Sequence, residues 1–321
     1  MSAAERLRAP ARWRAWEIAL WVVIWGAQFG FAGHAALVNE IAILALFALS
    51  LDLILGYAGI VSLGHAAYFG TGAYVAALFA KHVMPDPLVG LAVGTLAGAL
   101  LGLLTSPMIV RGSDLTRLMV TMGVALVLYE LANKFDNITG GADGLQGVVM
   151  GPLIVPFVGR FDFDLGARTA SFYSLGVLFG AFLLLRRIVH SPLGISLQAL
   201  RDNRLRLAAI GLSVNGRLAA VYTLGAALAG TAGALLAQTT GFASLDVFDF
   251  HRSADVMLAL VVGGVGWLWG GIIGAIAFKL MHDLLSAFTP QYWTFWIGLF
   301  LVALMLFGRE RLLRPWTWWR R

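Results

Sequence analysis

Cysteine is absent from the 321 residues, and charge is scarce: Asp, Glu, Lys and Arg together make up 12% of the chain. Without cysteine there is no disulfide framework, no thiolate nucleophile and no Cys-ligated metal. A soluble chain carries roughly 25% charged residues, so about half the charge needed to cover a water-facing surface is missing. That shortage excludes a soluble enzyme, a nucleic-acid binder and a disordered chain. Lysine is rarer still, at Lys81, Lys134 and Lys279, and none of the three follows a Gly-x-x-x-x-Gly. A phosphate-cradling loop is therefore missing, and the chain does not hydrolyse ATP by itself. The six histidines (His34, His65, His82, His190, His251 and His282) include no pair at metalloprotease spacing with an intervening Glu. No catalytic residue, metal ligand or cofactor is expected.

What the chain has in abundance is apolar sequence: 60% of residues are hydrophobic and 38 are glycine. A spanning helix needs about 20 apolar residues. The runs Ile18–Ala32, Ile41–Leu55, Ala66–Ala80, Leu88–Val110, Leu118–Ala132, Ser171–Leu185 and Leu218–Ala237 each approach that length. A broken run, Val256–Leu280, reads as two helices meeting near Gly263–Gly271, and Tyr292–Phe307 closes the series. The expectation is an all-α polytopic membrane protein of about ten spans, forming a single transmembrane domain over 1–321. The basic start reads as the flank of an uncleaved first span rather than a signal peptide. A β-barrel is excluded because the apolar runs are continuous rather than alternating.

Loop charge tests the count. With the N-terminus inside, the inner set is Arg6–Arg14, Arg111, Arg117, Arg186–Arg217 and Arg309–Arg321, seventeen arginines. The outer loops hold five cations, Lys81, Lys134, Arg160, Arg168 and Arg252, and most of the aspartates. Positive residues are retained on the cytoplasmic side, so both termini are expected there and the span number must be even. Glycine describes the packing. Gly90, Gly94, Gly98 and Gly102 recur every fourth residue, as do Gly266, Gly270 and Gly274, with Gly176 and Gly180 as a shorter version. Small residues at this spacing let helix backbones approach closely.

Three segments differ from lipid-facing helix. Gly56–Gly72 packs five glycines, Ser62 and His65 between apolar flanks. Gly disfavours helix interiors, and non-helical backbone at membrane depth survives only in a protein-lined or water-lined place. This reads either as a broken helix lining a pathway or as a tight turn at the cytoplasmic surface. The loop 190–217 carries Ser191-Pro192, a cap followed by Pro at the first helical position. Leu193, Leu197 and Leu200 share one face of the helix that follows, Asp202-Asn203 can cap a second helix, and Gly211 would end it. Two short Arg-rich helices suit a docking knob better than a linker. The acidic, turn-rich stretch from Thr139 to Arg168 either covers a pore mouth, meets an external partner or merely connects.

These residues resemble a known family. The run Leu51–Tyr74 is similar to the signature of M-type permeases of branched-chain amino acid ABC importers. So are Thr139–Leu145, Ser191–Gly194, Ala199–Asn203, Ala208–Gly211, Leu224–Leu235 and Val262–Gly271, in order, over about residues 40–305. The resemblance implies a bacterial inner-membrane permease subunit that moves its solute by alternating access. Its partners would be the lipid bilayer, an H-type permease, two ATP-binding subunits and a periplasmic solute-binding protein, with no nucleic acid. Gly56, Tyr57, Gly59, Ser62, Gly64, His65 and Tyr68, with Gly263, Gly264 and Gly266, would line the translocation route. Ser191, Pro192, Gly194, Arg201, Asp202, Asn203 and Gly211 would belong to the loop that docks on the ATPase. The family also serves urea, amides and aromatic acids. This sequence departs from its pattern at Leu126 and Tyr129, where a Glu and an Arg often stand, at Asp52, commonly Asn, and at Arg204, often Glu. The rival reading is a stand-alone channel or facilitator for a small neutral solute such as urea or an amide.

Overall fold

Backbone groups in lipid must find their hydrogen bonds within the segment itself, which leaves helices for runs as apolar as these. The computed structural model describes residues 13–30, 32–155, 159–163, 167–209, 211–288, 291–292, 295–296, 298–300 and 302. Arg6, Arg8, Arg12, the tail Arg309–Arg321 and most of the expected span Tyr292–Phe307 lie outside the described residues. The helices are α1 (Ala15–Gly30), α2 (Ala35–Asp52), α3 (Ala66–His82), α4 (Pro87–Arg111), α5 (Asp114–Lys134) and α6 (Arg168–Val189). Two short helices follow, α7 (Pro192–Asp202) and α8 (Arg204–Ala209), then α9 (Val214–Thr240), α10 (Phe250–Gly263) and α11 (Leu268–Phe288). A small antiparallel hairpin, β1 (Leu153–Val155) and β2 (Gly159–Phe161), decorates the stretch between α5 and α6.

Every apolar run expected between Ile18 and Leu280 has its helix. Among the described residues, six are long and apolar enough to cross a membrane: Ala35–Tyr57, Pro87–Val110, Asp114–Lys134, Arg168–Val189, Val214–Thr240 and Leu268–Phe288. α1, α3 and α10 are shorter. Caps fix where several helices start. Asp86 accepts from Leu88 N (2.9 Å) and Val89 N (3.0 Å) ahead of α4, with Pro87 in the first helical position. Ser113 does the same for α5 and Asp249 for α10.

α9 is the centre of the bundle, packed on α4, α3 and α2. Small residues make this possible. A Cβ added to Gly98 would lie 2.6 Å from the Ala226 carbonyl oxygen and 2.9 Å from Gly230 Cα, so only glycine lets these two helices touch backbone to backbone. Gly94 and Gly102 meet Ala234 and Ala226 in the same seam, and Gly90 meets the Gln238 side chain. α10 and α11 cross in the same way at Gly263, Gly270 and Gly274. Two expectations change. Gly266 stands in the turn between α10 and α11 at φ 78°, not on the α11 face with Gly270 and Gly274. Gly176 and Gly180 meet nothing within 4 Å, so they are not a packing seam within this chain.

Three of the buried charged side chains, Glu17, Arg186 and Arg117, are ion-paired. Arg186 Nη1 lies 2.8 Å from Glu17 Oε2, with both side chains about nine-tenths buried, and the guanidinium stacks over Trp13. Arg117 is fully enclosed; its Nε donates to the Ile109 carbonyl (2.8 Å) at the end of α4 and its Nη1 to Asp114 (2.7 Å). A cation over the last carbonyls of a helix is favourably placed against its dipole.

Candidate functional site

Two segments singled out in the sequence, far apart in the chain, meet at one end of the bundle. α2 does not stop at Asp52 but runs on through a π-helical turn, Leu53–Tyr57. Residues 58–65 then climb back along the bundle without helical structure before α3 begins at Ala66. α3 therefore starts inside the molecule, where Ala66 N donates to Ser253 Oγ of α10 at 2.9 Å. His65, just ahead of it, is wholly enclosed, stacked on Phe47 and 2.8 Å from Ser50 Oγ. The Ser50 hydroxyl is spent on the Phe47 carbonyl (2.6 Å), so His65 Nε2 must carry the proton and donate to Ser50. Tyr68 is likewise buried, linked at 2.8 Å to both Thr105 and the Tyr222 hydroxyl. Ser62 and Gly64 are also enclosed; a side chain at Gly64 would run into the Thr121 carbonyl of α5.

The π turn carries the second half of the arrangement. The Arg201 side chain of α7 reaches over it, and its Nη1 donates to the Gly56 carbonyl at 2.5 Å. Its aliphatic stem lies against Gly59, where an added Cβ would stand 2.7 Å from Arg201 Cγ and where φ is 68°, a conformation suited to glycine. On the other side, Gly266 N in the α10–α11 turn donates to Asp52 Oδ1 at 2.7 Å. Gly56 itself has no room for a side chain, being pressed against Asp52 and the Gly266 backbone. Tyr57 is buried beside it. Gly263 and Gly264 are buried at the helix crossing, 3 and 2 residues before Gly266 in the chain. So Gly56, Gly59, Gly266 and Arg201, predicted as members of two separate sets, form one contact. Asp52, noted in the sequence only as a departure from a pattern, is its buried carboxylate, with Oδ2 unpartnered.

α7 is held by its own apolar face. Ser191 Oγ accepts from Gly194 N (3.4 Å), Pro192 opens the helix, and Leu197 and Leu200 are fully buried with Leu193 partly so. A side chain at Gly194 would strike the Val189 carbonyl. Asn203, not Asp202, caps α8: its Oδ1 accepts from Arg206 N at 3.0 Å, while Asp202 closes α7 with its side chain 73% exposed. Gly211 follows α8 at φ 81°. Arg204, Arg206 and the Asp202 carboxylate remain on the outer surface of the knob.

A cleft of about 170 Å³ opens on another flank. Leu63 of the non-helical rise, Met122, Leu126 and Tyr129 of α5, and Asp249 and Phe250 at the start of α10 line it. Met122, Leu126 and Tyr129 share a helix face by their spacing, but nothing in the sequence brings Leu63 or Asp249 to them; the re-entrant shape of residues 241–249 does so for Asp249. Among the described residues, no three His, Asp or Glu side chains converge as a metal site.

The stretch between α5 and α6 folds over the end opposite α7. Leu145 pairs with Ala243, Gly151 N donates to the Pro85 carbonyl (2.7 Å), and Lys81 to the Gln146 carbonyl (3.1 Å).

Known proteins align along most of this architecture. The chain is 26% identical over 309 residues to the high-affinity branched-chain amino acid transport system permease protein LivM of Salmonella typhimurium, covering 88% of this chain and 70% of that one. The LivM of Escherichia coli is 27% identical over 293 residues, 83% of this chain and 66% of its own, so the chain spans about two thirds of both. A probable LivH of Methanocaldococcus jannaschii is 28% identical over 257 residues, with 76% and 77% covered. No solved structure matches. Residues 34–307 match the family described as "Branched-chain amino acid transport system / permease component", and with a membrane-spanning bundle built on its motifs the chain belongs to that family.

Proposed function

We propose that the chain is the M-type half of the permease core of an ATP-driven importer in a bacterial inner membrane. In this reading a companion H-type permease lies beside it and a periplasmic binding protein delivers the solute. Two ATP-binding subunits dock on α7 and α8 at the cytoplasmic face, and this chain carries no cofactor of its own. The names of its relatives point to branched-chain amino acids as the solute. ATP binding draws the ATPases together, the knob follows, and the two permeases open to opposite sides in turn.

The observation that carries the reading is the Arg201 contact. A knob that merely connected α6 to α9 would need no side-chain anchor on the bundle. Here α7 grips the π turn of α2 by a side chain, and that turn is joined through Asp52 to the α10–α11 turn. A displacement of α7 is thus passed to the inner ends of α2, α10 and α11 together. Arg201→Ala removes the grip and leaves the apolar face of α7 in place. In the reconstituted complex, ATP hydrolysis should persist while solute uptake falls by about tenfold or more, as expected for loss of a charge-assisted hydrogen bond. Uptake by the chain alone, without nucleotide and indifferent to Arg201→Ala, would instead establish the facilitator.

A further inference from the structure

The cleft between α5 and the start of α10 holds a charge that helix capping alone does not require. α10 has 14 residues and so rises about 21 Å from its turn at Gly264–Gly266, against a hydrocarbon core of about 30 Å. Its first residue, and Asp249 before it, therefore stop short of the far end of a span of that length. Phe248, next in line, stacks on Tyr74 midway along α3, so this end of α10 lies against the middle of a neighbouring helix rather than at its tip. Asp249 caps α10 through Oδ1, which accepts from His251 N at 3.2 Å. An asparagine would do as much. The nearest cation in sequence, Arg252, is spent on Asp246 at 2.8 Å, and Asp249 forms no ion pair among the described residues. Charged side chains at membrane depth face a protein interior or a water-filled path and mark routes for solutes.

The surroundings specify what such a carboxylate would meet. Asp249 shares the cleft with Leu126, Met122 and Leu63, which form an apolar wall, and with the rings of Phe250 and Tyr129. The Tyr74 hydroxyl, on the ring that stacks against Phe248 of the cleft, is buried without a partner. A carboxylate flanked by aromatic rings suits an ammonium group, and the wall suits a branched or aromatic side chain.

We propose that this cleft is a solute-binding site for a small molecule bearing a primary ammonium group next to an apolar side chain, with Asp249 receiving the ammonium and Leu126 and Met122 the side chain. The proposal rests on the reading of the chain as a solute-carrying permease, and it narrows the solutes: an amino acid fits, aromatic acids lack the ammonium, and urea and simple amides lack both the ammonium and the apolar side chain.

The absence of cysteine makes a direct test available. Leu126 is 62% exposed, so Leu126→Cys in the full chain, held in lipid nanodiscs, presents a single thiol in the cleft. A water-soluble maleimide should modify it. Leucine and isoamylamine should slow that reaction, whereas 4-methylpentanoate, which lacks the ammonium, and urea should not. Asp249→Asn, which preserves the cap, should weaken protection by leucine about tenfold or more. Met122→Cys, on the same wall of the cleft and partly exposed, serves as a second reporter should Leu126→Cys fail to fold. A thiol that does not react, while Asp143→Cys on the outer loop does, would show the cleft to be dry and end the proposal. So would equal protection by the deaminated acid, or protection that survives Asp249→Asn. ATP-coupled uptake plays no part in these measurements, so the importer reading and this site stand or fall separately.

Discussion

At the residue scale, burial and pairing decide which side chains are structural. His65 and Tyr68, which the resemblance would put on the translocation route, are each enclosed within the chain by partners up to 154 positions away. Sequence spacing cannot convey such contacts, and it missed Arg201 on Gly56 for the same reason: the two are 145 residues apart. What was readable was local chemistry, such as the Ser191-Pro192 start of α7 and the left-handed glycine at 211. The Arg186–Glu17 pair gives a prediction at this scale. Removing one partner of a buried pair leaves an uncompensated charge and typically costs about 3–5 kcal/mol, whereas replacing both with apolar or neutral groups is often near neutral. Arg186→Met should therefore lower the melting temperature in detergent markedly, and adding Glu17→Gln should restore most of the loss.

At the scale of elements, the helices were legible almost throughout, because apolar length and glycine period both survive in a single sequence. Glycine period alone did not say which face was in contact. Gly98 and Gly176 look alike in their four-residue spacing, but one faces the α9 backbone and the other open space. Thermal unfolding of the two alanine variants separates them. Gly98→Ala forces α4 and α9 apart and should destabilise by about 1–3 kcal/mol, the range for overpacking. Gly176→Ala gains helix propensity with no clash and should be neutral or stabilising by up to about 1 kcal/mol. The break at 58–65 was announced by its glycines, whereas the return of residues 241–249, with its short 3-10 turn Leu245–Phe248, was the element least open to prediction. Its course depends on tertiary contacts such as Leu145 with Ala243 and Phe248 with Tyr74, which leave no local signature.

For the whole molecule, the segregation of arginine predicts which end faces which compartment. Asp202→Cys on the knob and Asp143→Cys on the capping stretch lie at opposite ends of the bundle. In intact cells a membrane-impermeant thiol reagent should reach position 143 alone; reaction at 202 should require permeabilisation. The reverse pattern would invert the molecule and detach α7 from any cytoplasmic ATPase. The length of α10 has a further consequence, for how the chain is made. A segment of 14 residues that opens on Phe-His-Arg and carries Asp255 is too short and too polar to leave the translocon for lipid unaided. α11 supplies the apolar mass it lacks, and the tight Gly263–Gly274 crossing holds the two together. The pair should therefore enter the membrane as one hairpin, only after α11 has cleared the ribosome. A nascent chain truncated within α11 would then leave α10 stranded in water, within reach of the proteases that clear unfinished membrane proteins.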